Sequence, residues 1–191
     1  MIKIRNIAPN IKLGLLDLTA FSQKNAIIQK RDLEKAGTVF LLQHLLSTNT
    51  FEVLYTQTNK PFLQNRNEHI SISHSHDILA IIINEKENTG IDVELVRDKI
   101  LAIRHKFLNE NETKFAKDNV EILTFIWAAK ETLYKIYGLK GLDFKLHLSV
   151  DMNNEGDTFY GTIQKEDLKK TYKLKKEKLE NYCLVYALNE L

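Results

Sequence analysis

FIWAAKETLYKIYG, residues 125–138, reads as a helix that carries charge where a helix seldom does. Ile122, Ile126, Ala129, Leu133 and Tyr137 recur at helical spacing and predict a helix over residues 122–137. The other side of that cylinder holds Thr124, Trp127, Ala128, Glu131, Tyr134 and Lys135. Apolar on nearly every side, the helix is expected to be buried. Glu131 and Lys135 are four apart and share a face. Charge on a buried helix needs a partner, a metal or a ligand, because bare burial of charge is costly. The ordinary alternative is an i,i+4 ion pair on the protein surface.

Working upstream, GIDVE at residues 90–94 reads as a strand. Residues i and i+2 of a strand share a face, so Asp92 and Glu94 project side by side. Two such carboxylates repel unless something positive lies between them, and Mg²⁺ commonly takes one or two carboxylates together with substrate phosphates. Gly90 just before them permits close backbone approach. A solvated acidic face is the alternative. Further upstream, ISISHSHDILAIII (residues 70–83) places two β-branched runs around a polar cluster at 73–77, a hairpin pattern. Ser73 and His74 carry donors suited to phosphate oxygens. Residues this close in sequence do not make a Ser-His-Asp triad, which is recognised by its geometry.

Residues 1–6 and 11–18 read as strands, and residues 29–46 as a helix whose stripe includes His44, expected to pack in the core. Lys24, Lys30, Arg31 and Lys35 form a basic face at its N-terminal side. A strand at 51–56 runs into a turn at Asn59, Lys60 and Pro61. Short helices are expected over 100–116 with Asn109 as a cap, and Gly138 with Gly141 ends the long helix. Strands follow at 144–151, 158–164, 172–175 and 182–188, with a hairpin turn at 153–156. The seven lysines of residues 165–180, against four acids, suggest a solvated edge strand. The element order predicts an α+β fold of two similar α+β halves, residues 1–89 and 90–191.

Bulk properties exclude several classes. The net charge of +2 is too small to suggest nucleic-acid binding. The apolar run at 78–83 is far too short to span a bilayer, so no membrane partner is expected. Residues 1–18 alternate and carry Lys3, Arg5 and Lys12, unlike a signal peptide. A single cysteine, Cys183, suits a reducing compartment. These observations point to a cytoplasmic protein.

Asp92, Glu94, Glu131, Lys130, Lys135 and a Ser-His corner are the parts of Mg²⁺-assisted phosphoryl transfer. GIDVE followed by WAAKETLYK (residues 127–135) resembles the signature of the 4′-phosphopantetheinyl transferases. Asn59, Lys60 and Pro61, and the run Ile72, Ser73, His74 and Ser75, are similar to further motifs of the larger, surfactin-synthetase-activating type. The resemblance implies a pseudo-dimer fold and transfer of phosphopantetheine from coenzyme A to a serine of an acyl or peptidyl carrier protein, releasing adenosine 3′,5′-bisphosphate. It implies Mg²⁺ on Asp92, Glu94 and Glu131, with Glu131 also as base, directly or through water. Lys130 and Lys135 would meet the diphosphate, Ser73 and His74 the 3′-phosphate, and Lys60 with Pro61 the adenine side. Arg31 is the candidate helix arginine for the 3′-phosphate, with Lys30 and Lys35 as alternatives. Asn59 stands where the family usually has glycine. A monomer is expected. The other readings are a non-catalytic module that binds coenzyme A or a carrier protein, and a basic interaction protein using residues 165–178.

Overall fold

Alternating residues build the first sheet. β1 (Ile2–Ala8) pairs antiparallel with β2 (Ile11–Asp17), and the hairpin of β5 (His69–Ser75) and β6 (Ile78–Asn84) completes the order β1-β2-β6-β5. Asp17 ends β2 by accepting from the Ala20 amide, which starts α1 (Leu18–Asn25), a helix not expected from the sequence. α2 (Lys30–Leu46) follows, and a two-stranded ribbon of β3 (Val53–Tyr55) and β4 (Pro61–Leu63) connects it to β5. The computed structural model describes residues 1–27, 29–152 and 156–191. Among these residues no helix is long and apolar enough to cross a membrane.

The second sheet begins with β7 (Ile91–Leu95). Next come α3 (Lys99–Ile103), a 3₁₀ turn (Arg104–Lys106), α4 (Glu110–Ala116) and α5 (Val120–Tyr137). β8 (Leu148–Asp151), β9 (Thr158–Lys165), β10 (Leu168–Leu179) and β11 (Tyr182–Glu190) then close an antiparallel sheet of order β7-β11-β10-β9-β8. Asn109 makes a capping box with Glu112 at the start of α4. Gly138, at φ +67°, ends α5.

Period-2 alternation then dictates the layering. On one face of the first sheet, Leu16, Leu79, Ile81 and Ile83 pack against Leu41, Leu42 and Leu45 of α2. Its other face, with Leu13, Leu15, Ala80 and Ile82, meets Ile91, Val93, Leu184 and Tyr186 of the second sheet. The far face of that sheet, with Val185, Leu174, Phe159 and Ile163, carries α5 through Ile126, Ala129, Leu133 and Ile136. The order of layers is helix, sheet, sheet, helix, in keeping with the α+β class. Each fully buried Leu or Ile on these faces contributes about 1.5–3 kcal/mol. Gly90 lets β7 begin against α5: a Cβ there would lie 2.4 Å from the Thr132 carbonyl oxygen.

Three expectations are corrected. His44 is exposed, its ring against Phe40 and its Nδ1 2.8 Å from the Phe40 carbonyl, because it sits on the rim of the α2 stripe. The polar cluster at 73–77 is not a hairpin tip as a whole: Ser73 and Ser75 lie within β5, and His76 and Asp77 alone turn the chain. The lysine-rich β10 lies inside its sheet between β9 and β11, its alternate residues Tyr172 and Leu174 buried against the α5 side. The turn expected at 153–156 falls mostly outside the described residues.

Candidate active site

The layering turns two odd-even patterns towards each other. Asp92 and Glu94 lie on the β7 face covered by α5, opposite Ile91 and Val93, which face the first sheet. On α5, Trp127, Glu131 and Lys135 recur every four residues and share a face. Lys135 reaches across, its Nζ donating to Asp92 Oδ1 at 2.7 Å and to the Ile91 carbonyl at 2.9 Å. The Trp127 indole donates to Glu94 Oε1 at 3.0 Å while stacked on Phe144 and edge-on to Phe107.

A third element enters from β5. β7 is an edge strand, and its outward amides need partners. Ser71, Ser73 and Ser75 alternate along β5, and their hydroxyls accept from the amides of Ile91, Val93 and Leu95, each at 3.2 Å. The Ser73 hydroxyl donates in turn to Asp92 Oδ1 at 2.7 Å, and that of Ser75 to Glu94 Oε2 at 3.3 Å. Adjacent strand residues face opposite ways, so His74 points to the other side of β5, where its Nδ1 lies 3.3 Å from Glu34 on α2. Ser73 and His74 therefore do not present their side chains to one phosphate. Glu34 also pairs with Lys30, which puts the exposed N-terminal turn of α2, with Arg31, on the His74 side.

Burial dominates the electrostatics. It pushes the Glu131 carboxyl up to about 7; the Asp92 and Glu94 charges act in the same direction and the Lys135 charge against them. Glu94 is raised as well, first by burial and then by Asp92. Glu131 has no hydrogen bond or ion pair to the described residues, so the surface Glu131–Lys135 pair is not formed. Asp92 Oδ2 is buried without a partner. All-oxygen donors, one orphaned carboxylate oxygen and a carboxyl raised by burial and then by its acidic neighbours fit a hard divalent cation. They do not form a ready-made cage: among the described residues no three His, Cys, Asp or Glu side chains stand in metal-holding positions. Lys135 lies on Asp92, while Trp127 and Ser75 tether Glu94.

A cleft of about 390 Å³ opens beside these groups, lined by Lys60, Pro61, Glu131, Tyr134, Lys135 and Gly138 among others. The turn before β4 is fastened to the last turn of α5. Thr58 donates to the Gly138 carbonyl at 2.6 Å, and Lys60 and Asn88 donate to that of Ile136 at 3.0 and 2.6 Å. Lys60 also donates to Asn88 Oδ1 at 2.6 Å, and burial lowers its ammonium to about 8. Asn59 adopts φ +63°, a left-handed conformation that asparagine tolerates better than most residues.

Lys130 is a correction. Its ammonium is fully buried and its three donors are spent on Glu112 (2.7 Å) and the carbonyls of Phe107 (2.6 Å) and Phe144 (2.9 Å). No donor remains for a diphosphate. The sequence reading also missed Trp127, Ser75, Asn88 and Glu112 as site supports. For Trp127 the four-residue spacing to Glu131 was the available signal; Asn88 gave none, and the local capping box of Glu112 gave no sign of its remote partners Lys130 and Val150.

The family model described as the 4′-phosphopantetheinyl transferase superfamily matches residues 88–187. No curated protein is similar enough to match the chain.

Proposed function

The chain belongs to the 4′-phosphopantetheinyl transferase superfamily, and we propose that it moves the 4′-phosphopantetheine group of coenzyme A to a serine of an acyl or peptidyl carrier protein in a Mg²⁺-dependent reaction. The observation that carries this reading is the crossing of β7 and α5, which pairs Asp92 with Lys135, while Glu131 and Lys135 line a cleft bounded by Lys60 and Pro61. In this reading the units 1–89 and 90–191, each an antiparallel sheet with one long helix, are the halves of a pseudo-dimer of the surfactin-synthetase-activating type. The protein acts as a cytoplasmic monomer.

Lys60 and Pro61 bound the adenine side of the nucleotide, and Arg31 with His74 meets the 3′-phosphate. Lys135 lies against the diphosphate. Asp92, Glu94 and Glu131 would hold Mg²⁺, which supplies charge neutralisation on the phosphoryl oxygens. Glu131 is the proton acceptor, its basicity strengthened by burial. The carrier serine gives its proton to Glu131 as its oxygen bonds to the β-phosphorus of coenzyme A. The bond from that phosphorus to the bridging oxygen breaks, and the electron pair leaves with adenosine 3′,5′-bisphosphate. Lys135 offsets the charge on that leaving group.

The test is mass spectrometry of an apo carrier protein incubated with the enzyme, coenzyme A and Mg²⁺. A gain of one phosphopantetheine is the expected result. An unchanged carrier mass in the presence of bound coenzyme A would leave only the non-catalytic binding module.

A further inference from the structure

The three β5 serines make the same bond to β7 but differ in what their own protons do. Each hydroxyl accepts a β7 amide at 3.2 Å. Ser71 gives its proton to neither carboxylate, whereas Ser73 donates to Asp92 and Ser75 to Glu94. All three serines are buried, and the Ser73 bond is the shorter, 2.7 Å against 3.3 Å. That bond goes to Oδ1, the oxygen that Lys135 also occupies, and leaves the buried Oδ2 with no partner. A carboxylate with one oxygen held by two donors has its rotation about the Cβ–Cγ bond fixed, and its other oxygen has one direction in which to accept.

We infer that Ser73 is a positioning residue for the metal: it orients Asp92 so that Oδ2 faces an incoming divalent cation, while its oxygen stitches β5 to β7. Ser75 does the same for Glu94 more weakly. The serine seam therefore ties the cation affinity of the second sheet to the seating of the first. This inference rests on the proposed Mg²⁺ role, and it gives Ser73 a task other than contacting a phosphate. A group that holds a metal ligand from behind is worth a sizeable part of the affinity, because without it the ligand must be ordered at the moment of binding.

The experiment measures Mn²⁺ binding to the full chain without coenzyme A, from the loss of the free-ion paramagnetic resonance signal. Ser73→Ala should weaken Mn²⁺ about 10–100-fold. Ser75→Ala should weaken it less, and Ser71→Ala, which removes an equivalent seam bond but no carboxylate donor, should leave it within about twofold of the wild type. Ser73→Cys keeps a weaker donor of similar size and should fall between Ser73→Ala and the wild type; it carries the test if the alanine variant does not fold. The Michaelis constant for coenzyme A should stay within about twofold in the Ser73 variants. Equal losses in the Ser71 and Ser73 variants, or a raised Michaelis constant with unchanged Mn²⁺ affinity, would overturn the inference while leaving the transferase reading standing. A wild-type chain that takes up no Mn²⁺ would overturn it together with the metal assignment. A wild-type chain that binds Mn²⁺ but leaves the carrier mass unchanged sinks only the transferase reading.

Discussion

Lys135 of α5 and Asp92 of β7 stand 2.7 Å apart, an ion pair between residues 43 positions apart in the chain. The charge that looked out of place on a buried helix is matched by a strand carboxylate, and Glu131 is left facing the same cleft without a partner. Asp92 is almost wholly buried and Lys135 about three-quarters buried.

Removing Lys135 should therefore show in both stability and catalysis. Breaking a fully buried pair from one side costs roughly 3–5 kcal/mol, and the partial exposure of Lys135 should bring the loss below that. Lys135→Ala should unfold earlier in urea, and added Mg²⁺ should restore much of the loss. Turnover should fall by at least about 10²-fold, as when one transition-state electrostatic group is removed. Turnover near the wild type would show that the pair is structural only.

Glu131 predicts a pH dependence. Its carboxyl sits near 7 in the folded, metal-free protein and at an ordinary 4.5 when unfolded. Between those values the folded state holds a proton that the unfolded state has released, so stability is full below about 4.5 and is lost as pH rises through about 7. Glu131→Gln should flatten that part of the stability profile and should cut turnover by about 10²–10³ with carrier binding nearly unchanged. Glu94 contributes with the same sign, so the difference between wild type and variant is the quantity to measure. A profile unaltered by the glutamine substitution would remove Glu131 from this role.

Lys130 and Glu112 should behave as a fold element. Glu112 accepts from Lys130, from the Val150 amide and from the Asn109 amide, tying α5, β8 and the start of α4 together. Lys130→Met should cost about 3–5 kcal/mol by leaving Glu112 charged and buried, as seen in thermal unfolding. The Michaelis constant for coenzyme A should remain within about twofold. A large rise in that constant, with stability intact, would return Lys130 to the diphosphate.

Gly138 offers a further test of the latch on α5. A Cβ there would lie 2.6 Å from Lys60 Cδ, and φ is +67°. Gly138→Ala should lose about 1 kcal/mol or more, because the left-handed backbone disfavours alanine, and should displace Lys60 from the Ile136 carbonyl. Lys60→Ala relieves the crowding but drops the same bond. Both variants should raise the Michaelis constant for coenzyme A; an unchanged value in both would separate the latch from nucleotide binding.

What the sequence by itself determined is everything set by short-range periodicity. Alternation in β7 puts Asp92 and Glu94 on one face whatever lies opposite, and four-residue spacing does the same for Trp127, Glu131 and Lys135. Asn109 with Glu112 and the left-handed Gly138 mark helix ends through their own backbone chemistry. The same local rules held two warnings: Lys130 and Lys135 are about 140° apart around a helix, and Ser73 and His74 point to opposite faces of a strand. Only the tertiary structure decided which lysine faced Asp92 and which faced Glu112, because that depends on how α5 is rotated over its sheet by Leu133, Ile136 and the close approach at Gly90. It alone also decided that the β5 serines would meet the open edge of β7 and that Lys60 would lie on the end of α5. Those contacts join residues about twenty and seventy-six positions apart, and no local pattern encodes a partner that arrives only when the layers stack.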